Sequence, residues 1–208
     1  MKKIGAVILA AGASRRLGRP KQLVPFRGLS LVRRSVEAAL AASCSPVIVV
    51  GNPHTNLART LAGLEMTLAI NECWWEGLGT SIRVGVSTLQ AEAPAVSAAV
   101  LLVCDQPMVT SPLIQDLIQA HTETGHSIAA CRYGEALGVP ALFGRYWFPV
   151  LSRLPGDAGA KRIIETHRDA VAVVEFPAGA LDIDTPGDLG ALQQLEQGPE
   201  ISQPSAAA

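Results

Sequence analysis

The chain has 208 residues, 49% of them hydrophobic and 17% charged, which supplies a sizeable core and excludes a disordered or fibrous protein. Seventeen Lys plus Arg against eighteen Asp plus Glu leave a net charge of −1. That balance excludes a protein that grips nucleic acid or an anionic membrane through bulk charge, so an anionic ligand has to be held locally.

In chain order, residues 4–9 read as a buried strand and 30–42 as a helix with the apolar stripe Leu31, Val32, Val36, Ala39 and Leu40. A strand at 47–50, a helix at 55–62, a strand at 66–70 and a helix at 80–90 follow. Next come a strand at 98–103, a helix at 112–122 and strands at 127–130 and 141–143. A helix at 159–166, a strand at 170–175 and a helix at 186–195 complete the pattern. Short aliphatic runs alternating with helical periods predict a three-layer α/β/α, Rossmann-like fold around a mixed, mostly parallel sheet. No linker interrupts the chain before Gly198, so 1–197 is expected to be one domain. Residues 198–208, with Pro199, Pro204 and three terminal alanines, are expected to be a disordered tail.

Cys44, Cys73, Cys104 and Cys131 form no C-x-x-C pair, and His54, His121, His126 and His167 lack H-x-x-x-H or H-E-x-x-H spacing. A zinc centre therefore has no support, and free thiols in a reducing compartment are expected. Lys2 and Lys3 before an apolar run imitate the start of a secretory signal, but Arg15, Arg16, Arg19 and Lys21 follow at once. The charge-free stretch 38–58 is broken by Pro46, Gly51, Asn52 and Pro53, which rules it out as a membrane helix. A cytoplasmic protein is the expectation.

In open α/β sheets ligands bind beyond the carboxyl ends of the strands. After the first strand, Leu9-Ala10-Ala11-Gly12-Ala13-Ser14 and then Arg15, Arg16, Arg19 and Lys21 combine small residues that let backbone N–H groups approach phosphate with cations that neutralise it. The spacing is neither a Walker loop nor G-x-G-x-x-G, and a tight turn is the competing reading. Asp105 ends the apolar strand 98–103, where it suits Mg²⁺ or the capping of the next helix. Asp184 precedes Pro186; either Asp184 or Thr185 caps that helix, or Asp184 adds a second carboxylate to Asp105. Trp74 and Trp75 read either as walls of a pocket or as buried or interface residues.

Together these residues resemble the MobA-like nucleotidyltransferases, and within them the molybdenum cofactor cytidylyltransferases. The first segment is similar to L-A-A-G-x-S-x-R-M-G-x-x-K, with Leu17 in place of Met. Asn71, Trp74, Gly77, Ser81 and Gly85, then V-C-D-Q-P around Asp105, G-D-A-G-A-K from Gly156 to Lys161, and D-I-D-T-P around Asp184 follow in family order. One departure is Gly138-Val139-Pro140, where the family usually has G-H-P. The resemblance implies a nucleotidyltransferase fold, Mg²⁺ as cofactor, CTP as substrate and molybdopterin or molybdenum cofactor as acceptor, with transient docking to a molybdenum hydroxylase. It implies nucleotide binding by Leu9, Ala10, Ala11, Gly12, Ser14, Arg16, Lys21, Asn71, Gly79, Thr80, Ser81 and Asp105. Arg16, Lys21 and Asp105 would be catalytic, and Asp105 and Asp184 would hold the metal. Acceptor binding falls to Gly138, Pro140, Gly156, Asp157 and Gly159; the last three are read as opening the helix at 159, whose N-terminus would hold a phosphate or be capped by Asp157. The competing functions are a transferase with a sugar or alditol phosphate acceptor and a non-catalytic cofactor-binding chaperone.

Overall fold

A computed structural model describes residues 3–197; the expected tail at 198–208 lies outside the described residues. β1 (Ile4–Leu9) leads into a long loop with a 3-10 turn at Lys21–Leu23, then a small hairpin of β2 (Pro25–Phe26) and β3 (Leu29–Ser30). There follow α1 (Leu31–Ala41), β4 (Val47–Gly51), α2 (Leu57–Thr60), β5 (Thr67–Ile70), α3 (Leu78–Glu92), β6 (Ala98–Val103) and α4 (Ser111–Thr124). The last elements are β7 (Ile128–Tyr133), β8 (Ala136–Gly144), α5 (Phe148–Leu151), α6 (Lys161–Thr166), β9 (Val171–Glu175) and α7 (Pro186–Gln197).

Seven strands form one sheet in the order β5-β4-β1-β6-β8-β7-β9, with β8 antiparallel to both neighbours and every other pair parallel. The period of two along each strand divides the core. Val7, Leu9, Ala99 and Leu101 face α3, α5 and α6, whereas Ala6, Ile8, Val100 and Leu102 face α1 and α4. Both faces are covered, which explains why the central strands carry unbroken aliphatic runs. At Gly85 a Cβ would meet Val7 Cγ1 at 2.3 Å, so the glycine sets how closely α3 lies on the sheet. A third cluster, of Leu17, Val24, Phe26, Leu31, Ile183 and Leu192, joins the first loop and the hairpin to α7. Among the described residues no helix is long and apolar enough to cross a membrane.

Some elements depart from the pattern read above. The strands expected at 127–130 and 141–143 are parts of a longer hairpin, β7 with β8, whose register shifts between Ala130 and Cys131 so that Val139 and Pro140 have no partner in the ladder. That irregularity accommodates Pro140, which lacks an N–H for a regular ladder. The helix expected at 55–62 is the single turn α2, the 25–30 hairpin and α5 were not expected, and the helix expected from 159 begins at Lys161.

Candidate active site

β1 lies between β4, reached next in the sheet, and β6, reached after the chain crosses back, so the β1/β6 boundary is the topological switch point. The loop after β1 is shaped there from beneath. Gln22, fully buried, donates through Nε2 to the carbonyls of Ala10 at 2.7 Å and Gly12 at 2.8 Å. Asn52 donates to the carbonyl of Ala11 at 3.0 Å. Ser14 takes a left-handed backbone, φ 52°, and its hydroxyl accepts from the Lys21 N–H at 2.9 Å. The loop carbonyls are thus tied inward, and residues 10–21 curl around the end of β1. Sequence reasoning missed Gln22 and Asn52, whose partners are backbone atoms fixed only by the fold.

Lys21 Nζ bridges two carboxylates, donating to Asp105 Oδ2 and, at 3.0 Å, to Asp184 Oδ1. Residues 105 and 184 meet because the N–H of Ile183 donates to the carbonyl of Asp105 at 2.9 Å and Ile183 is anchored in the third cluster. Loss of hydration alone would depress the Lys21 ammonium, but the Asp105 charge and hydrogen bond, then Asp184, outweigh it and raise its pKa above the usual lysine range. Arg16 pairs with Asp184 Oδ2 at 2.7 Å from a side chain 71% exposed, whereas Lys21 and Asp105 are each 15% exposed. The capping question resolves at α7. Thr185 and Asp188 cap it reciprocally, Asp188 Oδ2 accepting from the Thr185 N–H at 2.7 Å, which leaves the Asp184 side chain for the site. Asp105 caps nothing; Thr110 stands at the start of α4.

Asp105 Oδ1 is buried and has no hydrogen-bond partner, a costly arrangement for a carboxylate oxygen unless a cation or ligand completes it. Asp105 and Asp184 fit Mg²⁺, which takes one or two carboxylates and fills its remaining positions with water and substrate phosphate oxygens. Among the described residues no group of three or more His, Cys, Asp or Glu side chains is placed to hold a metal. A third carboxylate, Asp182, which stands in the D-I-D-T-P motif without a role of its own, carries a charge that acts on Asp105 and Asp184. Loss of hydration, then the charges of Asp105 and Asp184, push its pKa up to about 6.

A cleft of about 310 Å³ opens over the ends of β1 and β6, with Gly12, Arg15, Lys21, Trp75, Ser81 and Asp105 among its lining. A second hollow on the other flank of the loop shares Gly12, Ala13, Arg15 and Trp74 with it. Leu9, Ala11, Gly12, Lys21, Ser81 and Asp105 line the cleft as a group, with Ala10 buried under the loop and Ser14 on the second hollow. Arg15 lines both, while Arg16 points to Asp184.

Asn71 and Thr80 are buried; Asn71 Nδ2 donates to Thr80 Oγ1 at 2.8 Å and Ser81 Oγ at 2.9 Å. Gly79 lies against the 155–158 loop: its N–H donates to the Gly156 carbonyl at 2.9 Å, and a Cβ there would sit 1.9 Å from the Pro155 carbonyl. Gly156 and Asp157 thus pack on Gly77 and Gly79. The helix following them, α6, has six residues and no side-chain cap, so Asp157 does not cap it. Gly138 and Pro140 sit at the level of the end of β6, since Ala141 pairs with Leu101, and the Tyr133 hydroxyl occupies the space a Cβ at Gly138 would need, 2.2 Å away. Of the cysteines, Cys44, Cys104 and Cys131 are buried and Cys73 is exposed, all as free thiols.

Residues 6–171 match the MobA-like NTP transferase domain. The chain is 31% identical to purine catabolism protein PucB of Bacillus subtilis over 86% of this chain and 91% of that protein. It is 28% identical to nicotine blue oxidoreductase of Paenarthrobacter nicotinovorans, covering 92% and 94% of the two chains. It is 27% identical to a probable molybdenum cofactor guanylyltransferase of Mycolicibacterium paratuberculosis, covering 92% and 96%. The crystal structure of Rv0371c from Mycobacterium tuberculosis superimposes with a TM-score of 0.76 at 29% identity over 93% of this chain and 98% of that one. Rv0371c has also been solved in complex with manganese, with a TM-score of 0.73 at 27% identity over 93% and 99% of the chains.

Proposed function

The chain belongs to the MobA-like NTP transferase family, and on that premise we propose that it transfers the cytidylyl group of CTP to the terminal phosphate of molybdopterin or molybdenum cofactor, releasing pyrophosphate. The observation that carries the reading is the Lys21 ammonium held between Asp105 and Asp184 at the switch point, with Asp105 Oδ1 buried and unpartnered. The choice of CTP is supported by Leu9-Ala10-Ala11-Gly12, which resembles the cytidylyl branch where the guanylyl branch typically carries L-A-G-G, and the pterin acceptor by the motif set as a whole; the relatives include a probable guanylyltransferase.

In this mechanism an acceptor phosphate oxygen attacks the α-phosphorus of the nucleotide, the bond from that phosphorus to the bridging oxygen breaks, and pyrophosphate leaves. The nucleophile is anionic at neutral pH, so no side chain has to remove a proton, and the site has only to position the groups and neutralise charge. Gly12 and its neighbours present the backbone of the loop to the triphosphate, and Arg15 supplies positive charge at the cleft edge. Lys21 carries a charge fixed by two carboxylates against the transferred phosphoryl group. Asp105 and Asp184 would hold Mg²⁺, which when bound would offset the charge of the phosphate groups.

The test is pyrophosphate release by the purified protein with Mg²⁺ and molybdenum cofactor, comparing CTP, GTP and ATP, with Asp105→Asn as control. Release selective for CTP and abolished in the variant is expected. Release selective for GTP moves the chain to a guanylyl activity, and nucleotide binding without release in any arm removes this acceptor.

A further inference from the structure

The cleft has a wall that the phosphate chemistry leaves unused. Trp75 is 61% exposed and Leu78 43% exposed, and both line the same cleft as Lys21 and Asp105. A single exposed apolar residue would need no explanation, but two of them, one aromatic, grouped on the wall of one concave cleft beside a charged site point to a binding feature. The ring is also braced. Trp74 meets it edge-on, with centroids 6.2 Å apart and planes at 82°, and His54 in turn meets Trp74 at 5.8 Å. The 3-10 turn that carries it is fastened at both ends, the Cys73 N–H donating to Asn71 Oδ1 at 3.0 Å and Thr80 Oγ1 donating to the Gly77 carbonyl at 2.8 Å.

The polar side chains nearest in sequence to this wall serve one another. Asn71 Nδ2 donates to Thr80 and Ser81, its Oδ1 accepts from Cys73, and the Thr80 hydroxyl is engaged with Gly77. Asn71 and Thr80 therefore have little left with which to read the edge of a ring, whereas Trp75 has a free face.

We propose that Trp75 is the stacking platform of the cleft, receiving the planar heterocycle of a phosphate-bearing ligand and setting the preference for such ligands over phosphates without a ring. Asn71 and Thr80 position the platform without contacting the ring. The inference rests on the transferase reading and deepens it; the ring belongs to the nucleobase or to a heteroaromatic acceptor, and stacking serves either because each has a π-face.

The experiment is calorimetric titration of the full chain with Mg²⁺ and three probes: CTP, a pterin monophosphate and tripolyphosphate. Trp75→Leu keeps apolar bulk and removes the aromatic face, at an exposed position where folding is retained. It is expected to weaken a ring-bearing probe roughly tenfold or more, to leave tripolyphosphate unchanged, and to be largely rescued by Trp75→Phe. A loss on CTP alone assigns the ring to the nucleobase and a loss on the pterin alone assigns it to the acceptor. Equal affinities in wild type and Trp75→Leu, or an equal loss on tripolyphosphate, overturn the platform and leave the transferase standing. A wild-type protein that binds none of the probes overturns both.

Discussion

The two ends of the sheet are both hollow, and the larger hollow is at the wrong end for chemistry. At the starts of β4 and β5 lies a cavity of about 440 Å³ lined by Ser43, Pro46, Val47, Glu65, Thr67 and Glu92 among others, against about 310 Å³ for the cleft at the ends of β1 and β6. The difference is one of direction. Parallel strands put the start of α3, at Leu78, beside the cleft and the ends of α1 and α3, at Ala41 and Glu92, beside the opposite cavity. Helix starts offer N–H groups and positive potential, and helix ends offer carbonyls and negative potential. The opposite cavity adds Glu65 and Glu92, and among the described residues its lining has no Lys or Arg, so it is less suited to anions than the cleft. Strand direction, not the size of the hollow, decides which end can hold phosphate.

The sharpest way to break this contrast is Lys21→Ala. A charge pair about 4 Å apart is worth on the order of 4 kcal/mol at an effective dielectric near 20, so the rate of pyrophosphate release is expected to fall by roughly 10³ in a protein that keeps its circular dichroism. A loss of only a few-fold would place the chemistry elsewhere.

A smaller effect, on stability, sharpens the contrast from the acidic side. Asp182 titrates near 6 in the folded chain against about 4 in an unfolded one, so folding favours its protonated form. The stability it lends is full below pH 4 and lost as pH rises through 6. Asp182→Asn, in metal-free buffer, is expected to leave Tm unchanged near pH 4 and to raise it by no more than about 2 °C above pH 6.5, a small gain because the residue is exposed and water screens its charge. A gain that is the same at both pH values would show that ionisation of Asp182, against lost hydration and the neighbouring carboxylates, is not its source. The smallest expectation lies at the other end of the sheet, where Glu92→Gln should leave activity within about twofold of wild type.

How much of this was legible in the sequence follows the same division. The central strands were readable because both faces are buried, so Val100, Leu101 and Leu102 announce themselves without any partner in view. The hairpin at 25–30 was not, since two-residue strands carry no period, and β8 was hidden by Gly138 and Pro140, whose place in a strand depends on a shift in the facing register. In the site, Lys21 stood out among the cations that follow the small-residue loop, Asp105 as the carboxylate that ends an apolar strand, and Asp184 as a carboxylate before a helix start. Gln22 and Asn52 did not, because what they do is tie off carbonyls of a loop that exists only once β1 and β4 lie side by side. Arg15 and Arg16 are adjacent in sequence, and which of them reaches the cleft is a matter of loop curvature that composition does not record.

The third apolar cluster bears on the order in which the molecule is completed. Ile183 and Leu192 pack with Leu17, Val24 and Phe26, and the Ile183 N–H holds the strand-end carbonyl of Asp105. A chain emerging from the ribosome can pair β1 with β4 and with β6, and so assemble most of its sheet, long before residue 184 leaves the exit tunnel. Until then Lys21 lacks its second carboxylate and the loop lacks the packing behind it. The charge cluster is closed by residues synthesised after every strand of the sheet, so a nascent or prematurely terminated chain ending before Ile183 has most of the scaffold and lacks the second carboxylate that completes the centre.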